Sequence, residues 1–204
     1  NREIKFLNSY RYQDEVDHNQ DFKSFVIIDR IKEIFDEHPG QRGLILCTSY
    51  KQMEQIQIIM KERLPDDFMR LTFDEKGRKF KDTISKNYEK PDGVIISAKA
   101  GTGIDLKGDL SRFQIIIKAP YMSELQDETD MRAKKIMKFD KERFFMKSLF
   151  KLIQFAGRSV RGITDHAETY VLDTAGPNMV KIQHQKGYAP DWFFEACRFD
   201  AKLN

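Results

Sequence analysis

The residues best suited to chemistry in this sequence lie in one octet, Gln154-Phe155-Ala156-Gly157-Arg158-Ser159-Val160-Arg161. On a helix, positions 154, 157/158 and 161 share a face, so one amide and two guanidinium groups point the same way past a glycine. Arginines without acidic partners on the same turn favour an anion between them. The octet therefore predicts a phosphate-contacting site, with a solvated basic helix face as the alternative.

A second segment follows an apolar run and reads Ser97-Ala98-Lys99-Ala100-Gly101-Thr102-Gly103-Ile104-Asp105-Leu106. Glycines let the backbone approach a phosphate closely, and Asp105 adds a carboxylate. The segment lacks the Gly-Lys-Ser/Thr ending of a Walker A loop, and its glycines do not fit the dinucleotide spacing. It is either a phosphate-contacting loop of another kind or an ordinary glycine-rich turn.

A third segment, Cys47-Thr48-Ser49-Tyr50, joins an apolar run to a helical pattern. The first turn of a helix presents unpaired N–H groups and a partial positive charge, which suit a phosphate. Thr48 or Ser49 can equally serve only as the helix N-cap. Both interpretations place these residues at the end of a strand.

The elements around these segments alternate between short apolar runs and helical periods, which predicts an α/β domain with a mostly parallel sheet. Strands are expected at 43–48, 68–71, 93–98, 113–118 and 169–172, and helices at 21–38, 50–64, 76–88 and 124–161. In such sheets the carboxyl ends of the strands line one functional crevice, where all three segments would meet.

The length of 204 residues suits one domain, which we place at 21–204. Residues 1–20 are polar and aperiodic, and we expect them to wrap over the surface.

Composition excludes several classes of protein. Two cysteines are too few for a disulfide framework, and no apolar run reaches the roughly 18 residues of a membrane span. We therefore expect an intracellular protein with no membrane partner. The net charge is only +3, but residues 132–161 are strongly basic and rich in phenylalanine. That stretch is either a solvated helix pair or a phosphate-facing surface.

In their order and spacing, the three segments resemble motifs IV, V and VI of the second RecA-like domain in superfamily 2 helicases. The likeness is greatest to the branch that contains XPD and DinG. Motif V is similar in Gly103-Ile104-Asp105, Gly108-Asp109 and Pro120-Tyr121, and motif VI in Gln154, Gly157-Arg158 and Arg161 with the trailing Asp165. The sequence departs from the family at Thr102, where Glu is usual, and at Ala175, where Arg is common. Asp36-Glu37-His38 is one residue short of a DEAH box, and we interpret it as surface.

The resemblance implies a RecA-like, mostly parallel sheet flanked by helices on both faces. It implies the second motor domain of an ATP-dependent 5′ to 3′ DNA helicase, inactive when isolated because the sequence contains no Walker A loop. ATP and Mg²⁺ would be held mainly by a first RecA-like domain, in the same or another chain. This chain would bind no metal itself, and an iron–sulfur cluster could lie only outside it.

The resemblance also assigns roles to individual residues. Arg158, Arg161 and Gln154 would act in catalysis, and Gly103, Asp105 and Gly157 would contact the nucleotide. Single-stranded DNA would be held by Thr48, Ser49, Tyr50, Lys99, Gly101 and Thr102. The alternatives are a non-catalytic helicase-like scaffold or nucleic-acid-binding domain, and an RNA helicase of the same superfamily.

Overall fold

Seven strands form one parallel sheet in the computed structural model of the chain, which describes residues 2–7, 20–98, 106, 108–121, 140–159 and 165–199. At positions 2 and 20–25 it describes the backbone only. The strands are β1 Arg2–Phe6, β2 Gly43–Leu46, β3 Leu71–Phe73, β4 Val94–Ser97, β5 Phe113–Ile116, β6 Ala167–Val171 and β7 Cys197–Phe199. Their order across the sheet is β3-β4-β2-β5-β6-β1-β7, and every neighbouring pair is parallel.

Helices cover both faces of the sheet. In the described parts of the chain they are α1 Gln20–Glu37, α2 Tyr50–Arg63, α3 Pro65–Phe68, α4 Phe80–Tyr88, α5 Lys141–Ala156, α6 Ala175–Gln185 and α7 Asp191–Ala196. None of these helices combines the length and the apolar character needed to cross a membrane. The predicted α/β class, with a parallel sheet between two helical layers, is confirmed.

Side chains alternate along the strands between two cores. Leu44 and Leu46 of β2 pack into the core under α5 and α6, whereas Ile45 packs into the core under α1 and α2. Burying one such side chain contributes about 1.5–3 kcal/mol. The short apolar runs of the sequence are therefore strands with both faces covered, as a parallel sheet requires.

The N-terminal segment differs from the expected surface position. Arg2–Phe6 form β1, which pairs with β6 on one side and β7 on the other. Ile4 and Phe6 are buried, while Lys5 between them is half-buried. The two apolar side chains stabilise an inner strand because they reach the core under α6 and α7, and five residues are too few to display that alternation clearly.

Three other boundaries also differ. The helix α3 occupies Pro65–Phe68, and β3 begins only at Leu71. Of the predicted helix 124–161, α5 occupies only Lys141–Ala156, and the part before residue 140 lies outside the described residues. After the expected last strand, the chain adds α6, α7 and the edge strand β7.

Candidate functional site

The octet begins in the last turn of α5, which ends at Ala156, whereas the sequence predicted a helix through Arg161. Gly157 is the C-cap, and its N–H donates to the Ile153 carbonyl at 3.1 Å. The Arg158 N–H donates to the Phe155 carbonyl at 3.0 Å, which continues the turn. Gln154 is exposed and Arg158 is half-buried, whereas Arg161 lies outside the described residues. The structure thus brings Gln154, Gly157 and Arg158 together at one helix end.

A buried neutral network fixes this turn to the sheet. The Gln114 amide nitrogen donates to the Ala156 carbonyl at 2.9 Å and to Thr169 Oγ1 at 2.7 Å. Ser159 Oγ donates to Gln114 Oε1 at 3.1 Å and lies 2.7 Å from Ser111 Oγ. All four side chains are fully buried. We call Ser111, Gln114, Ser159, Thr169 and the Ala156 carbonyl the Gln114 network.

The sequence analysis missed this network, although it contained a signal for it. Gln114 is an amide inside the apolar run of β5, and β5 is buried along its whole length. A buried amide needs hydrogen-bond partners, because leaving one unpaired costs roughly 1–3 kcal/mol. The partners come from α5, β6 and two turns, so they could be identified only once the elements were packed.

Asp165 joins the parts of the chain that the sequence had assigned to motifs V and VI. Its carboxylate accepts from the Gly108 N–H at 3.3 Å and from Arg112 at 3.2 Å. Arg112 also pairs with Asp109. Gly108 has φ of 57°, a left-handed conformation that favours glycine. The Gly108-Asp109 turn and Asp165 are therefore in direct contact.

Asp173 joins the carboxyl ends of β5 and β6. Its two oxygens accept from the backbone N–H groups of Ala119 and Ala175, each at 2.9 Å. Burial raises the pKa of the Asp173 carboxyl, and these hydrogen bonds together with Lys118 act in the opposite direction. Burial, followed by the charge of Asp173, also raises the pKa of Tyr121.

Thr48, Ser49 and Tyr50 lie where β2 meets α2. Ser49 is the N-cap of α2 and accepts from the Gln52 N–H at 3.1 Å. Gln52 Oε1 accepts in turn from the Thr48 N–H at 2.9 Å. The capping interpretation of this segment is thus correct. A serine hydroxyl that accepts a hydrogen bond retains its own proton, so capping leaves Ser49 able to donate to a phosphate.

The glycine-rich segment is described only up to Ala98. Lys99, Gly101, Thr102, Gly103 and Asp105 lie outside the described residues. Just before them, Ser97 Oγ donates to the fully buried Asp74 carboxylate at 2.7 Å. This bond ties the end of β4 to the residue that follows β3.

A charged cluster lies on the opposite face of β5 and β6. The Tyr170 hydroxyl is 2.8 Å from Glu37 Oε2, 2.7 Å from Glu168 Oε2 and 2.9 Å from His38 Nε2. Lys5 Nζ donates to Glu168 at 2.6 Å. His38 stacks on Phe113 with ring centroids 4.6 Å apart. We call Lys5, Glu37, His38, Glu168 and Tyr170 the Tyr170 cluster.

The Tyr170 cluster corrects the surface interpretation for His38, which is only 6% exposed, whereas Asp36 and Glu37 are exposed as expected. Glu37, His38 and Glu168 each place one ligand atom within 4.8 Å of the others, as a metal site requires. The Lys5 ammonium already supplies positive charge beside Glu168. One of the two carboxylates is therefore already paired with a cation of the chain.

Comparisons with known proteins agree with this architecture. The chain is similar to the structure of Xpd4 from S. tokodaii, with 12% identity and a TM-score of 0.64 over 98% of this chain and 38% of that one. It is similar to an XPD helicase, with 15% identity and a TM-score of 0.66 over 97% of this chain and 35% of that one. It thus spans little more than a third of those helicases.

The fold also matches a DEAD-box structure, domain 2 of Mss116p bound to an RNA duplex. The identity is 10% and the TM-score 0.54, over 98% of this chain and 66% of that one. The RecA-like fold expected from the sequence is thereby confirmed. No curated protein matches the sequence. The family model of the helicase C-terminal domain matches residues 31–181, well over half of the chain. The chain therefore belongs to the helicase C-terminal domain family.

Proposed function

We propose that this chain is the second motor domain of an ATP-dependent DNA helicase, with Arg158 and Arg161 acting as arginine fingers. The observation that supports this most is the Gln114 network, which fixes both the last carbonyl of α5 and Ser159. Arg158 lies between these two anchored residues. A guanidinium that acts on a phosphoryl group must be held in place before the reaction, and this turn is so held.

The residues of this chain that would face ATP can contact its phosphates but cannot hold the nucleotide alone. Gln154 offers an amide and Arg158 a planar fork of donors at the same helix end, and neither can replace a Walker A loop. The phosphates and Mg²⁺ would be held by a first RecA-like domain, in the same chain or another. Gly157, Gly103 and Asp105 would complete the contacts from this side, and Mg²⁺ bound with ATP would neutralise phosphate charge. Arginine fingers contribute about 10³–10⁵ in rate.

The nucleic-acid side of the proposal uses the other strand ends. Thr48, Ser49 and Tyr50 follow β2, and Lys99, Gly101 and Thr102 follow β4, the strand that pairs with β2. Both sets would hold single-strand phosphates, which carry no sequence information. ATP-dependent opening and closing of the cleft would then move the strand, in the 5′ to 3′ direction, inside the cell.

The arginine assignment is tested by ATP turnover of this chain together with a first RecA-like domain, in the presence of single-stranded DNA. Arg158→Ala and Arg161→Ala should each lower turnover at least about a hundredfold, because each finger is worth 10³–10⁵ in related enzymes. Arg161→Lys should also be poor, since an ammonium cannot reproduce the planar fork. The matched control is Arg30→Ala, a half-buried arginine on α1.

Normal turnover by both alanine variants, with loss of DNA binding, would reverse the assignment and place the arginines on the nucleic-acid surface. The chain alone should release no phosphate above background. Turnover of the isolated chain above about 0.1 per second, far above uncatalysed hydrolysis, would contradict the two-domain motor.

Thr102 favours a second candidate function, a helicase-like scaffold without motor activity, because the family usually has glutamate there. A scaffold would bind nucleic acid or protein, and its Arg158→Ala variant would behave like the parent. An RNA helicase is distinguished by titration with single strands of DNA and RNA of the same sequence. If the chain binds RNA more tightly than DNA, the proposed substrate is RNA.

A further inference from the structure

The solvent-facing side of α5 carries an unusual set of residues. Arg143, Phe150 and Gln154 are exposed, and Lys147 and Lys151 are half-buried. At 3.6 residues per turn these five positions fall within an arc of about 100°. The opposite side of α5 is held in the core through buried residues that include Phe144, Leu149 and Leu152. We call Arg143, Lys147, Phe150 and Lys151 the α5 stripe, and Gln154 at its end belongs to the ATP-facing set of the proposed function.

Within the described residues, the three cations of the stripe form no ion pair with an acidic group. Some other cations on helices and turns of the described residues are paired: Arg30 with Glu33, Arg63 with Asp29 and Arg78 with Glu75. On α5 itself, the acidic Glu142 pairs with Lys186, the C-cap of α6, instead. Like charges four residues apart destabilise a helix, so Arg143, Lys147 and Lys151 impose a cost that an anionic partner would relieve.

An aromatic ring lies among these cations. Phe150 is 44% exposed, whereas Phe144, Leu149, Leu152 and Phe155 of the same helix are buried. The cations repeat every four residues, which is about 6 Å along a helix. A row of positive charges with an exposed aromatic face is the combination that proteins use to hold single-stranded nucleic acid.

We infer that the α5 stripe binds the backbone phosphates of a single-stranded nucleic acid, with Phe150 stacking on a base. The inference rests on the proposed function, because it adds a second strand-binding surface to a helicase domain. A single strand is favoured over a duplex because its bases are open to stack on Phe150. An acidic protein segment would match the charges but would leave the exposed ring without a planar partner.

The test measures binding of the chain to a fluorescent oligothymidylate by anisotropy at several salt concentrations. The variant is Arg143→Gln, Lys147→Gln and Lys151→Gln together. The control removes the same charge from exposed lysines on α2 and α4: Lys61→Gln, Lys81→Gln and Lys86→Gln. We expect the stripe variant to lose at least about tenfold in affinity at 0.1 M salt and about 2 in the slope of log affinity against log salt, at about 0.7 per phosphate. The control variant should change much less.

Phe150→Ala separates stacking from charge. It should weaken binding about fivefold or more and leave the salt slope unchanged, because base stacking involves no counterion release. A second experiment measures competition between poly-glutamate and the oligonucleotide for the chain. Poly-glutamate that binds as tightly as the oligonucleotide, with the same loss in the triple variant, would identify an acidic-protein surface and overturn the inference.

The outcomes also separate this inference from the proposed function. If Thr48→Ala or Lys99→Ala weakens binding while the stripe variant matches its control, the strand-end site stands and the stripe inference is wrong. An unaltered affinity in Phe150→Ala likewise rejects the single-strand assignment. No detectable binding by the parent chain would overturn the stripe together with the nucleic-acid part of the proposed function.

Discussion

The two faces of β5 and β6 carry different kinds of buried polar side chain. On the face toward α5, Gln114 and Thr169 lie side by side in the strand register and join an enclosed network of neutral groups. On the face toward α1, Glu168 and Tyr170 belong to a cluster of charged groups. The Glu168 side chain in that cluster remains 40% exposed.

The difference shows where each kind of polar group is tolerated. Amides and hydroxyls can be enclosed fully if every donor finds an acceptor, whereas enclosing an ion costs far more. The Gln114 network therefore lies in the core and positions a helix end. The Tyr170 cluster lies where water still reaches its carboxylates.

The largest loss of stability is expected from a substitution in the Gln114 network. Gln114→Leu removes the amide from the Ala156 carbonyl, Thr169 and Ser159 at once. These groups would stay buried without that partner, and we expect the free energy of unfolding to fall by about 3 kcal/mol or more. Urea unfolding measures it, with the exposed Gln55→Leu as control. A loss below about 1 kcal/mol would mean that the network contributes little to stability.

A smaller loss is expected in the Tyr170 cluster. Tyr170→Phe removes a hydroxyl that lies within hydrogen-bond distance of Glu37, His38 and Glu168. The hydroxyl has one proton and donates to one carboxylate at a time, so we expect a loss of about 1–2 kcal/mol. Thermal unfolding, compared with the exposed Tyr88→Phe, tests this value. A loss as large as that of Gln114→Leu would remove the distinction between the two faces.

The smallest expected effect is a pH dependence of the stability that the Lys5–Glu168 pair of the Tyr170 cluster contributes. Burial raises the pKa of Glu168, but its bonds with Lys5 and Tyr170 outweigh this and lower it below the ordinary 4.5. Burial lowers the pKa of Lys5, but Glu168 outweighs this and raises it above 10.5. The lowered carboxyl pKa gives stability that is present above pH 4.5 and is lost as pH falls through the folded value. The raised amine pKa gives stability that is present below pH 10.5 and is lost as pH rises.

The parent chain should therefore exceed Glu168→Gln in stability between these limits. The difference should be at most about 1 kcal/mol, because the pair is partly exposed. It should shrink as the pH falls below 4.5, which urea unfolding at several pH values can measure. Gln114→Leu serves as the comparison, since its destabilisation should not change over the same range. An unchanged difference for Glu168→Gln in acid would show that the ion pair contributes nothing.

The sequence predicted the buried strands well because their apolar runs have one explanation in a parallel sheet. The runs containing Leu44, Ile95 and Ile115 all became strands covered on both faces. The end of α5 was predicted too late, at residue 161, because the basic pattern continues past Gly157, where the helix is capped.

The features that the sequence did not predict depend on contacts between residues that are far apart in the chain. Lys5 and Glu168 are 163 residues apart, and no local pattern marks them as partners. His38 resembled a surface residue at a helix end, yet Phe113 and Tyr170 enclose it. β1 is only five residues long, and it becomes an inner strand because β7 returns from the far end of the chain to pair with it.

The neutrality of the Gln114 network has a consequence for how the domain responds to its surroundings. None of its side chains titrates in the physiological range, and interactions between uncharged groups are hardly screened by salt. The turn that carries Arg158 should keep its position as ionic strength and pH change. Binding of a nucleic-acid strand by lysines and arginines weakens steeply with salt. Under the proposed function, a change in ionic strength would therefore change the affinity for the nucleic-acid strand. It would leave the position of Arg158 relative to ATP unchanged.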